Sequence, residues 1–330
     1  MRKLLIICLV LALTVGVGVL VPGCTDEVTD PELTIRTTIT DEWDIRPDGR
    51  EAFEEHYGFT YNRDYLLVVE AGLTLTALKE KEVDVGMVFA TDSWMAELGW
   101  HVYQDDLSFF PPYDMTPSVR GEVLDEHPEI ADILNELVAT FPGGGQSATP
   151  ALVGEAQAIW QELNHMVDFM DMWPDEVATE YLTDHGLIPD PTPDPKGVDI
   201  TVGSKGFTEQ LIVGELMAQV LEAHGFDVTL VDGLSTAALR DGMETGELDV
   251  IAEYTGTAWM VHFGEEYVPG WDNNDIYGFV QAGDEDDYNI IWLDPIWNNN
   301  TYAFASWPEF VADHDLVTLS DLAALYREMD

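Results

Sequence analysis

Cysteine is almost missing from this chain of 330 residues: there are two, Cys8 and Cys24. Beyond residue 24 a disulfide framework or a cysteine-zinc cluster is therefore excluded, and stability must come from packing. Basic residues are scarce as well, 13 Lys and Arg against 63 Asp and Glu, for a net charge of −50. Such a surface repels phosphate backbones and anionic lipid, which excludes nucleic acid as a partner. Catalytic signatures are also lacking. No GxSxG elbow, HExxH pair, Walker-type glycine loop or GxGxxG follows a strand, and the eight histidines are scattered without metal-ligand spacing. Nothing here argues for an enzyme, a cofactor or a metal. The stretch "DNNDIYG", Asp272 to Gly278, hints at a calcium loop, but Ile276 occupies a required oxygen position and no Glu closes it, so a solvated turn is expected. "DEDD", Asp284 to Asp287, reads as an exposed charge run.

What is present begins with "MRKLLIICLVLALTVGVGVLVPGC", two basic residues, an apolar run from Leu4 to Val21 and a small residue before Cys24. This reads as an export signal ending in a lipobox-like site, with Cys24 as the lipid anchor on the outer side of a membrane. The alternative is a membrane-spanning helix, for which the apolar run is at the short end. The acidic excess itself has two readings. Solvated carboxylates keep a protein soluble in a saline exterior, or they form a field that concentrates a cationic ligand; salt screens the second effect beyond about 8 Å.

Hydrophobic periodicity organises the rest. After Pro195, "DITVG" alternates as a strand and "FTEQLIVGELMAQVLEAHG" has helical spacing with Gly225 as its cap. "FDVTLV", "STAALRDGMETG" and "ELDVIAEY" follow as strand, helix and strand. The first half repeats the order in "LTIRTTI", "DGREAFEEHYG", "YLLVVEA", "LTLTALKEK" and "EVDVGMVF". Two α/β units with parallel strands are predicted. "ELDVIAEYTGTAWM", Glu247 to Met260, aligns without gaps on "EVDVGMVFATDSWM", Glu82 to Met95. Each strand ends in an aromatic, Tyr254 or Phe89, at the carboxyl end where open α/β sheets bind ligands.

Aromatic and charged residues gather at such ends and turns: Tyr254, Phe89, Tyr302, Tyr113, and the rare cations Lys205 and Arg46. Aromatic faces carry negative potential, so several together attract a cation too alkylated to hydrogen-bond. A carboxylate on the same ligand would need Arg or Lys and a hydroxyl such as Thr257. Trp43 reads equally well as extra aromatic surface or as packing.

The segments "ITVGSKGFTEQLIVGELMAQVLEAHGF", "ELDVIAEYTGTAW", "WLDPIWNNNTYAFA" and "LSDLA" resemble the N-terminal portion of glycine betaine/choline substrate-binding proteins of osmoprotectant ABC importers. "IRPDGREAFEEHYGF", "AGLTLTALKEKEVDVGMVFATD", "DDLSFFPPYDMTPSVR" and "ELNHMVDFMDMWPDEVATEYLTDHGLI" resemble the C-terminal portion. Their order is reversed, as in a circular permutant joined through "PDPTPDPKG"; a slice of a tandem pair is the alternative. The resemblance implies a two-lobed periplasmic-binding-protein-like fold (type II) with a cleft between lobes. It implies a signal over 1–24, a tether over 25–32, lobe 2 from 33–112 plus 303–330, lobe 1 from 113–188 plus 198–302, and a linker over 189–197. Carried over by motif, Tyr254, Tyr302, Tyr113 and Phe89 would form an aromatic cage, with Phe89 where tyrosine is common. Lys205, Arg46 and Thr257 would meet a carboxylate, and Asn300 would wall the cage with an amide where the family may use an acid. The implied partners are a glycine betaine or choline-type solute, an ABC permease and its ATPase. A sensory module of the same fold is the competing implication.

Overall fold

The computed structural model describes residues 33–191, 193–266 and 271–329. The export signal, Cys24 and the tether lie outside the described residues. Among the described residues ten strands form two five-stranded sheets. The strands are β1 (Thr37–Thr40), β2 (Leu66–Val69), β3 (Val85–Phe89), β4 (His101–Val102), β5 (Met115–Arg120), β6 (Asp199–Lys205), β7 (Asp227–Leu234), β8 (Val250–Tyr254), β9 (Ile290–Trp292) and β10 (Tyr302–Ser306). One sheet runs β2-β1-β3-β10-β4 and the other β7-β6-β8-β5-β9.

The two sheets share one plan. In each, three parallel strands are followed by an antiparallel strand contributed by the other half of the chain: β10 against β3, and β5 against β8. The aligned segments found in the sequence are thus β3 and β8, which hold the same place in their sheets. Helices cover both sheets, giving two α/β lobes. In lobe 2 the core gathers Ile39, Trp43, Phe53, Phe304 and Tyr326. In lobe 1 it forms around the helix Thr208–Ala223, which buries residues on nearly every side.

Local sequence accounts for the element ends. Gly58 closes the helix Arg50–Tyr57 in a left-handed conformation that costs glycine little. The helix Thr208–Ala223 ends before Gly225, whose φ of 91° lets the chain turn into β7. A Cβ on Gly225 would lie 2.8 Å from the Asp194 carbonyl oxygen. Lys196 N donates to the Gly225 carbonyl (2.7 Å) and its Nζ reaches Glu129 (2.9 Å), so this end of the linker is pinned to lobe 1.

One expectation is overturned and a second holds for Glu285, Asp286 and Asp287, which are exposed, but not for Asp284. "DNNDIYG" opens the helix Asn273–Tyr288, with Asp272 accepting from the Asn274 and Asp275 amides, so it is a capping box and not a solvated turn. In "DEDD", Asp284 is buried: it pairs with Arg240 Nη1 (2.7 Å) and accepts from Trp292 Nε1 (2.7 Å). An arginine reaching from the neighbouring helix Thr236–Thr245 and an indole from β9 compensate the charge, which sequence periodicity does not reveal. No helix among the described residues is long and apolar enough to cross a membrane.

Candidate functional site

The chain crosses between the lobes just before β5 and again just before β10, and the two crossings run side by side. Asn300 N donates to the Tyr113 carbonyl (2.8 Å), Tyr113 N to Asn299 Oδ1 (2.8 Å), and Met115 N to Asn298 Oδ1 (2.9 Å). Asp114, fully buried, accepts from Asn299 N (3.0 Å) and Asn273 Nδ2 (2.7 Å). Burial pushes its carboxyl up to about 7. Asparagine suits this stretch because Asn299 sits at φ 32°, in the region that asparagine tolerates better than most residues.

Beside these crossings lies a cleft of about 290 Å³ with walls from both lobes. Tyr254, Tyr302, Tyr113, Phe89, Lys205 and Asn300 all line it. The strand register explains why. Tyr302, the first residue of β10, pairs with Phe89, the last of β3; Met115, two residues beyond Tyr113, pairs with Tyr254, the last of β8. Equivalent strand ends from the two sheets therefore deliver rings to one space. Gly256 admits Tyr113 there, since a Cβ would sit 2.7 Å from its ring.

The rings form a continuous belt. Tyr113 meets Tyr302 nearly perpendicular at 5.3 Å, and Tyr302 meets Phe89 at 5.2 Å. Phe207 then stacks on Phe89 across the cleft at 5.4 Å and faces Tyr254 at 6.4 Å. Phe207 was not anticipated from the sequence, although its place in "SKGFTEQ", directly after β6, carried the signal. Trp43 is packing: it is buried behind Tyr302, with ring centroids 6.4 Å apart.

The anticipated cations are placed differently from one another. Lys205 lines the cleft, and its Nζ lies 5.3 Å from the Tyr254 ring centroid and donates to Glu253 Oε1 (2.8 Å). Burial works to raise the Glu253 carboxyl, but Lys205 and His262 outweigh it and hold it down at about 2. Arg46 does not line the cleft. Its guanidinium is turned onto Asp48, with Nε at 2.8 Å, and Nη1 donates to Tyr302 Oη (3.0 Å). Burial opposes its charge, while Tyr302, Asp48 and Tyr113 keep it cationic. Tyr113 Oη donates to Asp48 (3.1 Å), so the Arg46–Asp48 pair holds Tyr302 and Tyr113 from behind the cleft wall. Thr257 is buried in the single helical turn Thr255–Thr257 and also does not line the cleft. Asp41, Glu42 and Glu70 give the lobe 2 wall an acidic character.

Sequence reasoning also missed Glu209. It is buried in the first turn of the helix Thr208–Ala223, and its Oε1 accepts from Tyr254 Oη (2.8 Å), Asn300 Nδ2 (2.9 Å) and Asn298 Nδ2 (3.2 Å). Acidic residues in a first helical turn are ordinarily solvated or serve the dipole, so nothing in "FTEQ" marks this one as buried. Among the described residues no group of His, Cys, Asp and Glu is arranged to hold a metal ion.

Two α/β lobes joined by paired crossings, with a small cleft walled by aromatic rings from both, define a solute-binding protein. The chain belongs to the OpuAC family, the substrate binding domain of ABC-type glycine betaine transport systems, whose model matches residues 26–184 and 198–329. This is a family of binding proteins and not of enzymes. The chain is 32% identical over 145 residues to the glycine-betaine-binding protein of Pseudomonas aeruginosa, covering 44% of this chain and 42% of that protein. It is 30% identical over 135 residues to the carnitine transport binding protein OpuCC of Listeria monocytogenes, covering 41% and 39%. A chemotactic signal transduction system substrate-binding protein, CosB of Halobacterium salinarum, is 30% identical over 129 residues, 38% of each chain. The matches thus span less than half the length of these curated relatives.

Proposed function

We propose that this chain captures a zwitterionic quaternary ammonium solute, glycine betaine or a relative such as carnitine, and passes it to an ABC permease and its ATPase. The observation that carries this reading is the belt of Tyr113, Tyr302, Phe89, Phe207 and Tyr254 converging with Lys205 on one small cleft. A methylated ammonium cannot donate a hydrogen bond, and aromatic faces stabilise it by their quadrupoles. Lys205 spends one of its three donors on Glu253 and has others for a carboxylate. Ligand pockets for larger, drug-sized molecules begin at about 300 Å³, so a cleft of this size suits a small solute. Closure of the lobes about the paired crossings would exclude water. Arg46 serves by holding Tyr302 and Tyr113 in place.

The chain is a circular permutant in this reading, with lobe 2 from 33–112 plus 303–330, lobe 1 from 113–188 plus 198–302, and Tyr302 at their boundary. The break of the family match across residues 185–197 supports it, as do the curated matches that each cover under half of the chain. Cys24 carries the lipid that anchors the protein outside the cytoplasm.

Titration calorimetry of residues 25–330 with glycine betaine, carnitine and choline tests the ligand class. Saturable binding of a betaine, tighter than that of choline, is expected; a folded chain that binds none of the three contradicts the reading. The likeness to CosB favours a second reading, a binding protein that serves taxis. Deleting the gene separates the two: loss of labelled betaine uptake supports import, and loss of taxis with uptake intact supports sensing.

A further inference from the structure

We infer that Glu209 is the acidic group of the cage: its buried carboxylate orients Tyr254 and Asn300 and supplies the negative charge that balances the ligand's ammonium. The inference rests on the quaternary ammonium reading of the cleft. Asn300 presents only an amide to the cleft, and its Nδ2 is bonded to Glu209 Oε1 at 2.9 Å. A carboxylate therefore sits directly behind this wall, in addition to Asp41, Glu42 and Glu70 on the lobe 2 wall. Glu209 Oε1 takes three donors, two of them from residues that line the cleft. Its Oε2 faces the Thr91 hydroxyl and takes no other donor among the described residues. A hydroxyl can donate to a carboxylate there or accept from a carboxyl, so Oε2 can hold a proton.

Burial pushes the Glu209 carboxyl up to about 7, against the pull of Thr91, Tyr254, Asn300 and Asn298. The groups facing it are accounted for on each neighbouring element. Tyr254 comes from β8, and Asp92 from the loop after β3, with its own carboxyl pushed up to about 8 by burial. Asp168, at the end of the helix Pro150–Asp168, accepts from Thr208 Oγ1 (2.9 Å), and Lys205 is paired with Glu253. The crossing before β10 supplies only the neutral Asn298 and Asn300. When a cation enters the cage, the anionic form of Glu209 is favoured, the O–H bond at Oε2 breaks, and the proton leaves for solvent. Ligand capture is thereby coupled to proton release near neutral pH.

The test is calorimetry with glycine betaine at pH 6, 7 and 8 on the wild-type chain and Glu209→Gln, with thermal melts to verify folding. The wild type should tighten at least about threefold from pH 6 to 8 and release a fraction of a proton at pH 7, read from buffers of different ionisation enthalpy. Glu209→Gln should bind about tenfold or more weakly at pH 8, with no pH trend. If the Gln variant does not fold, the wild-type proton count still decides: no release at pH 7 overturns the inference. It is also overturned if Glu209→Gln binds betaine with the wild-type affinity and pH profile. A wild-type chain that binds no quaternary ammonium solute at any pH overturns the ligand reading itself, and the inference with it.

Discussion

Arg46 and Asp48 illustrate how much a single buried pair carries. Both side chains are almost fully buried, and both reach cage tyrosines. Arg46→Ala leaves the Asp48 charge without its partner, a change that typically costs roughly 3–5 kcal/mol. The expected outcome is a large fall in the chemical-denaturation midpoint, substantially recovered in Arg46→Met with Asp48→Asn; equal midpoints for the wild type and Arg46→Ala would show that the pair is not stabilising. The place of the four aromatics along the cleft was legible in the sequence because Tyr254, Phe89 and Tyr302 stand at strand ends and Tyr113 two residues before β5, and strand ends follow from periodicity. Depth was not legible. Arg46 and Thr257 sit behind the cleft wall, and Glu209 faces inward because the helix Thr208–Ala223 is enclosed by packing on nearly every side.

At the scale of elements, the equivalence of β3 and β8 explains the internal match, and the swapped strands β5 and β10 explain why both halves of the chain are needed for one cleft. Periodicity alone does not reveal the exchange, because each of these strands has the same local pattern whichever sheet receives it; the family resemblance implied it, with 113–188 in lobe 1 and 303–330 in lobe 2. Asn298, Asn299 and Asn300 stitch the two crossings together. Leu33 and Met329 both pack on the lobe 2 core, and Thr37 Oγ1 is bonded to Tyr326 Oη, so these two segments share one core. In the proposed permutant, joining residue 330 to residue 33 through a short Gly/Ser linker and opening the chain within 189–197 would restore the family's order. That variant should fold and bind betaine within about threefold of the original, since loop entropy changes only slowly with loop length. Failure of the rearranged chain to fold in two independent linker lengths would argue against the permutation.

For the whole molecule, the charge of −50 and the buried carboxyls act in the same direction. Asp114 and Glu209, near 7, and Asp92, near 8, hold protons in the folded chain that an unfolded one releases near pH 4. Between about pH 4 and 7 the folded state binds more protons, so their contribution is complete below the unfolded value and is lost as pH rises through the folded one. Glu253, held near 2, acts oppositely and only at the acid end. Melting temperature should therefore fall as pH rises from 4.5 to 7.5 at constant high salt, and less steeply in Asp114→Asn. A profile unchanged by that substitution would exclude Asp114 as a source of the slope.

The central claim is that both lobes grip one solute with rings from equivalent strand ends. A crystal structure of the chain grown with glycine betaine tests it most directly. The account predicts the trimethylammonium group against the faces of Tyr113, Tyr302 and Tyr254, with the carboxylate at Lys205. Betaine bound at saturating concentration anywhere outside this cleft, or within it with the carboxylate turned toward the rings, would contradict it.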